Sequence, residues 1–458
     1  MTAQSFAARV RSQVSWRATR ELSWVLAGQA AALAGSIGLT KVLASRLGAE
    51  HYGRYALGLT AAVFLNQFVF GPLTTATLRY FSAYRENDLL GPFLSALRWL
   101  VGALLAVVAV TVVPAALLVA RYQGKEWAAL MLLAAAFGVV QNIFALVNGL
   151  DIAARHRARA AVYQAADPAA RLLLAGVFLA LLRPSAVVAM GAVTVAMFVV
   201  MASQATASRA FGGGPAPARA HGPDLASDTR AARWALVKYA RYFTIAGLFA
   251  WLQLSSDRWA LKLYLDDAAV GIYTAAYQLA SVPAVVLAGC VSQFFSPIVF
   301  QRARDGNSAA SLADARHVIR VGVLALSVLT VASAGVAGVA GERLIVLFTS
   351  AAYRQSGAYV TPLILGLGLL QIGHMLGLLA MSSNRLKGHL VVKIVHGVCA
   401  VVLNAASVRA FGLPGLCWVS IASGALYVAL VLANNARIMR TLSPDALGAV
   451  SQAPVLQS

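Results

Sequence analysis

Asp257 and Arg258 stand together in SSDRWALKLYL, several turns inside an apolar run. Near the centre of a bilayer span each charge costs roughly 2.5–3.5 kcal/mol on insertion scales. The chain has only 16 acidic residues among 458, and most fall between apolar runs, so an embedded one needs a reason. Adjacent helical positions diverge by ~100°, so the two side chains need not neutralise each other. An unpaired carboxylate in such a place can hold a proton or a cation and couple it to transport; a helix–helix contact would use the same residues. His374, in the mid-run sequence GHMLG, can likewise take a proton near neutral pH or close an interhelical hydrogen bond. Lys393 and His396, three apart and followed by Asn404, make a basic stripe suited to a phosphate or to a packing network. Lys41, Arg79, Arg241 and Lys262 lie near the ends of apolar runs, where long side chains snorkel to the interface or reach a ligand. Asp167 and Arg171 are four apart and can pair on one helical face. Eight residues thus form the candidate cavity or coupling set: Lys41, Arg79, Asp257, Arg258, Lys262, His374, Lys393 and His396.

Other chemistry is missing from the sequence. No GxxxxGK[ST] phosphate loop, HExxH, GxSxG or Cys/His cluster occurs. Cys290, Cys399 and Cys417 sit in apolar runs without metal-ligand spacing. Asp266-Asp267 is the one adjacent acidic pair, and it reads as a solvated turn. The expectation is a protein that is not an enzyme, with no catalytic residue, metal or cofactor.

The elements that carry these residues follow from composition. The chain is 60% hydrophobic and 12% charged, with mean hydropathy +0.74, and its apolar runs reach the ~20 residues that cross a ~30 Å hydrocarbon core. Strand-like alternation is absent, which excludes an outer-membrane barrel. The expected fold is an all-α polytopic membrane protein of twelve transmembrane helices in two pseudo-repeated six-helix lobes. Spans are expected near 22–45, 53–78, 93–120, 127–150, 160–182 and 185–208, then 235–264, 269–300, 316–340, 358–382, 388–410 and 414–440. The organisation is a basic N-terminal segment (1–21), a first lobe (22–208), a Gly/Pro-rich linker (209–234), a second lobe (235–440) and a tail (441–458). The formal charge of +21 gathers in alternate loops, the signature of the positive-inside rule. It puts both termini in the cytoplasm and argues for a lipid bilayer, not a nucleic acid, as the partner.

The halves echo each other. Leu43, Leu47, Gly53 and Tyr55 recur as Leu261, Leu265, Gly271 and Tyr273, each 218 positions on. A second echo sets Gln141 and Arg155 against Gln371 and Arg385, 230 positions on. Halves that start on the same side after an even number of spans form a parallel repeat, a transporter architecture.

Three junctions carry a family resemblance. Ser255–Ala280 (SSDRWALKLYLDDAAVGIYTAAYQLA) resembles the seventh-to-eighth span junction of bacterial polysaccharide exporters, Leu43–Leu57 their first-to-second junction, and Asn404–Gly424 their eleventh-to-twelfth. The chain is therefore similar to the oligosaccharide flippases of the multidrug/oligosaccharidyl-lipid/polysaccharide superfamily. The resemblance implies a two-lobed twelve-helix fold in the bacterial inner membrane. It also implies flipping of undecaprenyl-pyrophosphate-linked oligosaccharide for lipopolysaccharide O-antigen, capsule or exopolysaccharide, with a proton or cation as coupling ion. Cationic residues would receive the pyrophosphate, and rocking of the lobes about the linker would give alternating access. The first-span carboxylate common in drug/cation antiporters of that superfamily has no counterpart between Glu21 and Glu50; a cation-coupled small-molecule antiporter stands as the alternative. A membrane-embedded polymerase or ligase would want a large outward loop, and none longer than about 20 residues is expected.

Overall fold

The computed structural model describes residues 16–154, 156–208, 224–303, 309–383 and 385–441. Most of the expected N-terminal segment, the first part of the linker (209–223) and nearly all of the tail lie outside the described residues. Among the described residues there is no strand. The helices are α1 (Trp16–Phe64), α2 (Gly71–Glu86), α3 (Leu90–Tyr122), α4 (Lys125–Ala153), α5 (Arg157–Leu181), α6 (Ala186–Ser208), α7 (Asp224–Tyr264), α8 (Asp267–Ser281), α9 (Ala288–Ala303), α10 (Ala309–Phe348), α11 (Gly357–Ser382) and α12 (Leu386–Arg440). This is an all-α polytopic membrane protein.

Nine segments of the described chain are long and apolar enough to cross a membrane. Two of them, Gly28–Glu86 and Lys387–Arg440, far exceed the ~20 residues of one crossing. Each breaks where the backbone turns left-handed at a glycine, Gly48 (φ 69°) and Gly412 (φ 65°), a conformation that costs other L-residues steric strain. The twelve-span reading rests on dividing both segments and on counting α7, which is not among the nine. Helix α7 starts at Asp224, inside the stretch expected to be linker. Asp228 near its start suits the positive end of the helix dipole, and the alanines that follow favour helix.

Backbone contacts divide the chain into two compact units. The first comprises residues up to Leu47 and Arg54–Leu248; the second comprises Gly48–Gly53 and the chain from Phe249. Between lipid-facing helices there is little hydrophobic driving force, so close packing of small residues holds a bundle together. Helix α6 shows the result in the first unit. Ala186, Ala189, Met190, Val193 and Met197 are fully buried at helical spacing, while Phe198 and Val199 on the other side are more than half exposed.

Both units contain one irregular turn of π-helix, Leu65–Phe70 and Val282–Leu287. The two start 217 positions apart, nearly the spacing of the echo. A proline stands beside each: Pro72 just after the first and Pro283 within the second. Its missing N–H and its ring break the regular ladder.

Candidate functional site

The second unit gathers six of the eight candidate residues. Helix α7 brings in Asp257 and Arg258, which are 8% and 9% exposed. Asp257 is engaged through both of its carboxylate oxygens. Its Oδ1 accepts the backbone N–H of Arg258 at 2.7 Å and lies 3.4 Å from the Arg258 guanidinium. Its Oδ2 accepts the Tyr273 hydroxyl of α8 at 2.6 Å. The guanidinium also donates to the Leu254 carbonyl at 3.1 Å and lies 4.5 Å from the centre of the Tyr277 ring. The arginine stem is long enough to fold back, and this brings together two charges that the helical period would separate.

A cavity of about 60 Å³ adjoins Asp257, walled by Gln253, Tyr277, Asn404, Ser420 and Ser423 among others. That is room for a few water molecules or one small ion. Asn404 of α12 donates to Ser256 of α7 at 2.9 Å, which fixes one wall. Ser423 links this cavity to His396, whose Nε2 is 3.0 Å from the Ser423 carbonyl and 3.1 Å from its hydroxyl. A carbonyl only accepts, so Nε2 carries the proton.

His396 is fully buried, which fits the packing-network reading of this stripe, while Lys393 is half-buried. His396 stacks near Tyr427 (ring centroids 4.9 Å apart), and His374 meets the same tyrosine edge-on at 5.3 Å. Tyr427 fits because Gly373 leaves room; a Cβ there would lie 2.4 Å from the ring. His374 itself is exposed, with Nδ1 3.2 Å from Gln371 Oε1. Lys393, His389 and His396 lie within electrostatic reach of it. His389 is absent from the sequence-derived set, although its spacing four before Lys393 and seven before His396 puts all three on one side of a helix.

Lys262 does not snorkel alone. Its Nζ lies 2.6 Å from Asp267 Oδ1. Asp267 is 7% exposed, which corrects the reading of Asp266-Asp267 as a solvated turn. Asp266 remains outside and caps α8 by accepting the Ala269 N–H at 2.7 Å, a standard N-cap bond.

In the first unit Lys41 is exposed on α1, and Arg79 is exposed on α2 with its guanidinium 5.0 Å from the Tyr239 ring centre. Asp167 and Arg171 do pair, through two bonds of 2.6 Å. Asn66 donates to Asn142 at 2.8 Å. A further group escaped the sequence reading. Asp151, 2% exposed, accepts Arg159 at 2.5 Å and Gln204 at 3.1 Å, tying α4, α5 and α6 together. The available signal was a single acid set against the arginines of LDIAARHRAR.

Among the described residues no group of His, Cys, Asp and Glu is arranged to hold a metal ion by its own ligands. What the second unit presents is a small, largely apolar cavity edged by a neutralised carboxylate and a few amides and hydroxyls, and beside it a set of imidazoles with one lysine. Such groups can bind ions or polar ligands and exchange protons.

A family model described as polysaccharide biosynthesis protein matches residues 19–303, more than half of the chain. The chain belongs to the polysaccharide biosynthesis protein family. No curated protein sequence matches it, but solved structures do. The lipid II flippase MurJ in an inward closed conformation is 12% identical, with 95% of this chain and 93% of that one covered at TM-score 0.65. An outward-facing multidrug resistance MATE family transporter of the MOP superfamily is 15% identical, with 92% and 97% covered at TM-score 0.61. The Vibrio cholerae MATE transporter VcmN in its bent form is 14% identical, with 93% and 98% covered at TM-score 0.55. At such identities the likeness shows the fold alone. This family member has the fold of the MOP superfamily transporters, and these structural relatives are transporters and flippases rather than enzymes.

Proposed function

We propose that the protein translocates undecaprenyl-pyrophosphate-linked oligosaccharide from the cytoplasmic to the outer leaflet of the bacterial inner membrane by alternating access. The product would feed lipopolysaccharide O-antigen, capsule or exopolysaccharide assembly, and both termini would lie in the cytoplasm. The observation that carries this reading is the polysaccharide biosynthesis family match over residues 19–303, on a fold shared with a lipid II flippase. The chemistry is compatible. Exposed His374 and half-buried Lys393 offer cationic or donor groups to a pyrophosphate, while amides such as Gln371 suit sugar hydroxyls.

The likeness to MATE transporters favours a second reading, cation-coupled export of a small molecule. Deletion of the gene followed by analysis of lipid-linked intermediates separates the two. Flipping predicts that complete oligosaccharide accumulates on its lipid carrier at the cytoplasmic face, with Lys393→Ala giving a partial form of the same defect. An unchanged lipid pool with altered drug tolerance would reject flipping in favour of antiport.

A further inference from the structure

Two carboxylates inside helices, Asp167 and Asp257, each meet an arginine of their own helix. The Gly-x-Tyr tyrosines of the echo stand beside these pairs. Tyr273 donates to Asp257, and Tyr55 lies within electrostatic reach of Arg171. The i,i+4 spacing makes the first pair unsurprising. The second needs an explanation, because neighbouring residues on a helix do not face each other.

Three contacts hold the Arg258 guanidinium at Asp257: the Leu254 carbonyl at 3.1 Å, Asp257 Oδ1 at 3.4 Å and the Tyr277 ring at 4.5 Å. They come from two helices, α7 and α8. Both carboxylate oxygens are engaged, yet a cavity of about 60 Å³ opens directly beside them, lined largely by leucines but with Asn404, Ser420 and Gln253 contributing polar atoms. A carboxylate with nearby amide and hydroxyl oxygens is the donor set that hard cations prefer. Here the positive charge comes from the chain itself.

We propose that Arg258 is a tethered counter-ion: its guanidinium fills the place beside Asp257 that an exchangeable monovalent metal cation would otherwise take. The second unit thereby neutralises Asp257 without an external ion. Metal-ion gradients then do no work at this carboxylate. This inference concerns an ion site and does not depend on which substrate the protein carries.

The test uses the full-length protein in lipid nanodiscs, with radiolabelled sodium binding and the thermal unfolding midpoint measured in sodium chloride and in choline chloride at equal ionic strength. The wild type should bind no sodium saturably and show equal midpoints in the two salts. Arg258→Gln should gain one saturable sodium site, with a midpoint that rises at each tenfold increase in sodium, as ligand linkage requires. Adding Asp257→Asn should abolish that gain, and Arg258→Lys, which keeps the cation, should behave as the wild type. Saturable sodium binding by the wild type that Asp257→Asn removes would overturn the proposal. So would a folded Arg258→Gln protein indifferent to sodium. Should Arg258→Gln fail to fold, the comparison moves to Asp257→Asn and the Asp257→Asn/Arg258→Gln double variant. Removing both charges should then give a higher midpoint than leaving Arg258 buried alone, and an equal or lower one would count against the pair.

Discussion

Arg171 binds Asp167 through two nitrogens at 2.6 Å, and its guanidinium also reaches the Met197 sulfur at 3.1 Å and lies 4.9 Å from the Phe137 ring centre. With both side chains only 16% exposed, removing one partner strands the other in an apolar surround. Arg171→Gln should therefore destabilise the protein by about 3 kcal/mol, read as a lower midpoint in detergent, while Asp167→Asn/Arg171→Gln should recover part of that loss. This pair was legible in the sequence because i,i+4 spacing is a local rule. The Asp257 pair was not. Its geometry depends on Leu254 and on two tyrosines of α8, and nothing in the spacing of residues 257 and 258 discloses them. The sequence left His396 open between a ligand-facing stripe and a packing network for a related reason. A histidine three from a lysine suggests a shared face, but burial against Ser423 and Tyr427 is decided by how the second half of α12 folds back on the first.

At the level of elements, the echo at the two span junctions acquires a physical meaning. Gly53 and Gly271 are matched positions, and each backs onto the other's turn. A Cβ on Gly53 would lie 1.8 Å from the Asp267 carbonyl oxygen, and one on Gly271 would lie 2.0 Å from that of Ala49. Neither distance can be tolerated without moving backbone. Gly53→Ala and Gly271→Ala should each lower the unfolding midpoint by several degrees and reduce yield. Gly102→Ala on α3, where nothing lies within 4 Å, should be neutral or gain up to about 1 kcal/mol of helix propensity. The sequence marked both glycines as matched, and the π-turns fall close to the same spacing, but it carried no sign that the two turns touch. The devices also differ between copies. The first junction turns at left-handed Gly48, whereas the second uses extended Asp266 (φ −144°) as an N-cap.

For the whole molecule, alternation of charge predicts sidedness. A cysteine introduced at Asp88, in the turn after α2, should react with an impermeant maleimide only when the cytoplasmic face is open. A cysteine at Gln123, in the turn after α3, should react from outside in intact spheroplasts. Because Cys290 is exposed, the background is a chain lacking the native cysteines. Labelling of both positions from one side would refute the assigned topology.

Sequence alone determined that this chain is a bundle of membrane-crossing helices and where most of those helices start and stop. Those properties depend on composition, run length and local turn chemistry, all written along the chain. Only the tertiary structure decided the state of the embedded polar groups: Asp257 neutralised by its neighbour, Asp267 buried on Lys262, His396 closed onto Ser423, and Asp151 clasped by Arg159 and Gln204. In a low-dielectric interior an unpartnered charge is costly, so the partner decides what each group can do. That partner can sit on another helix or one helical step away, where residue spacing does not reveal it.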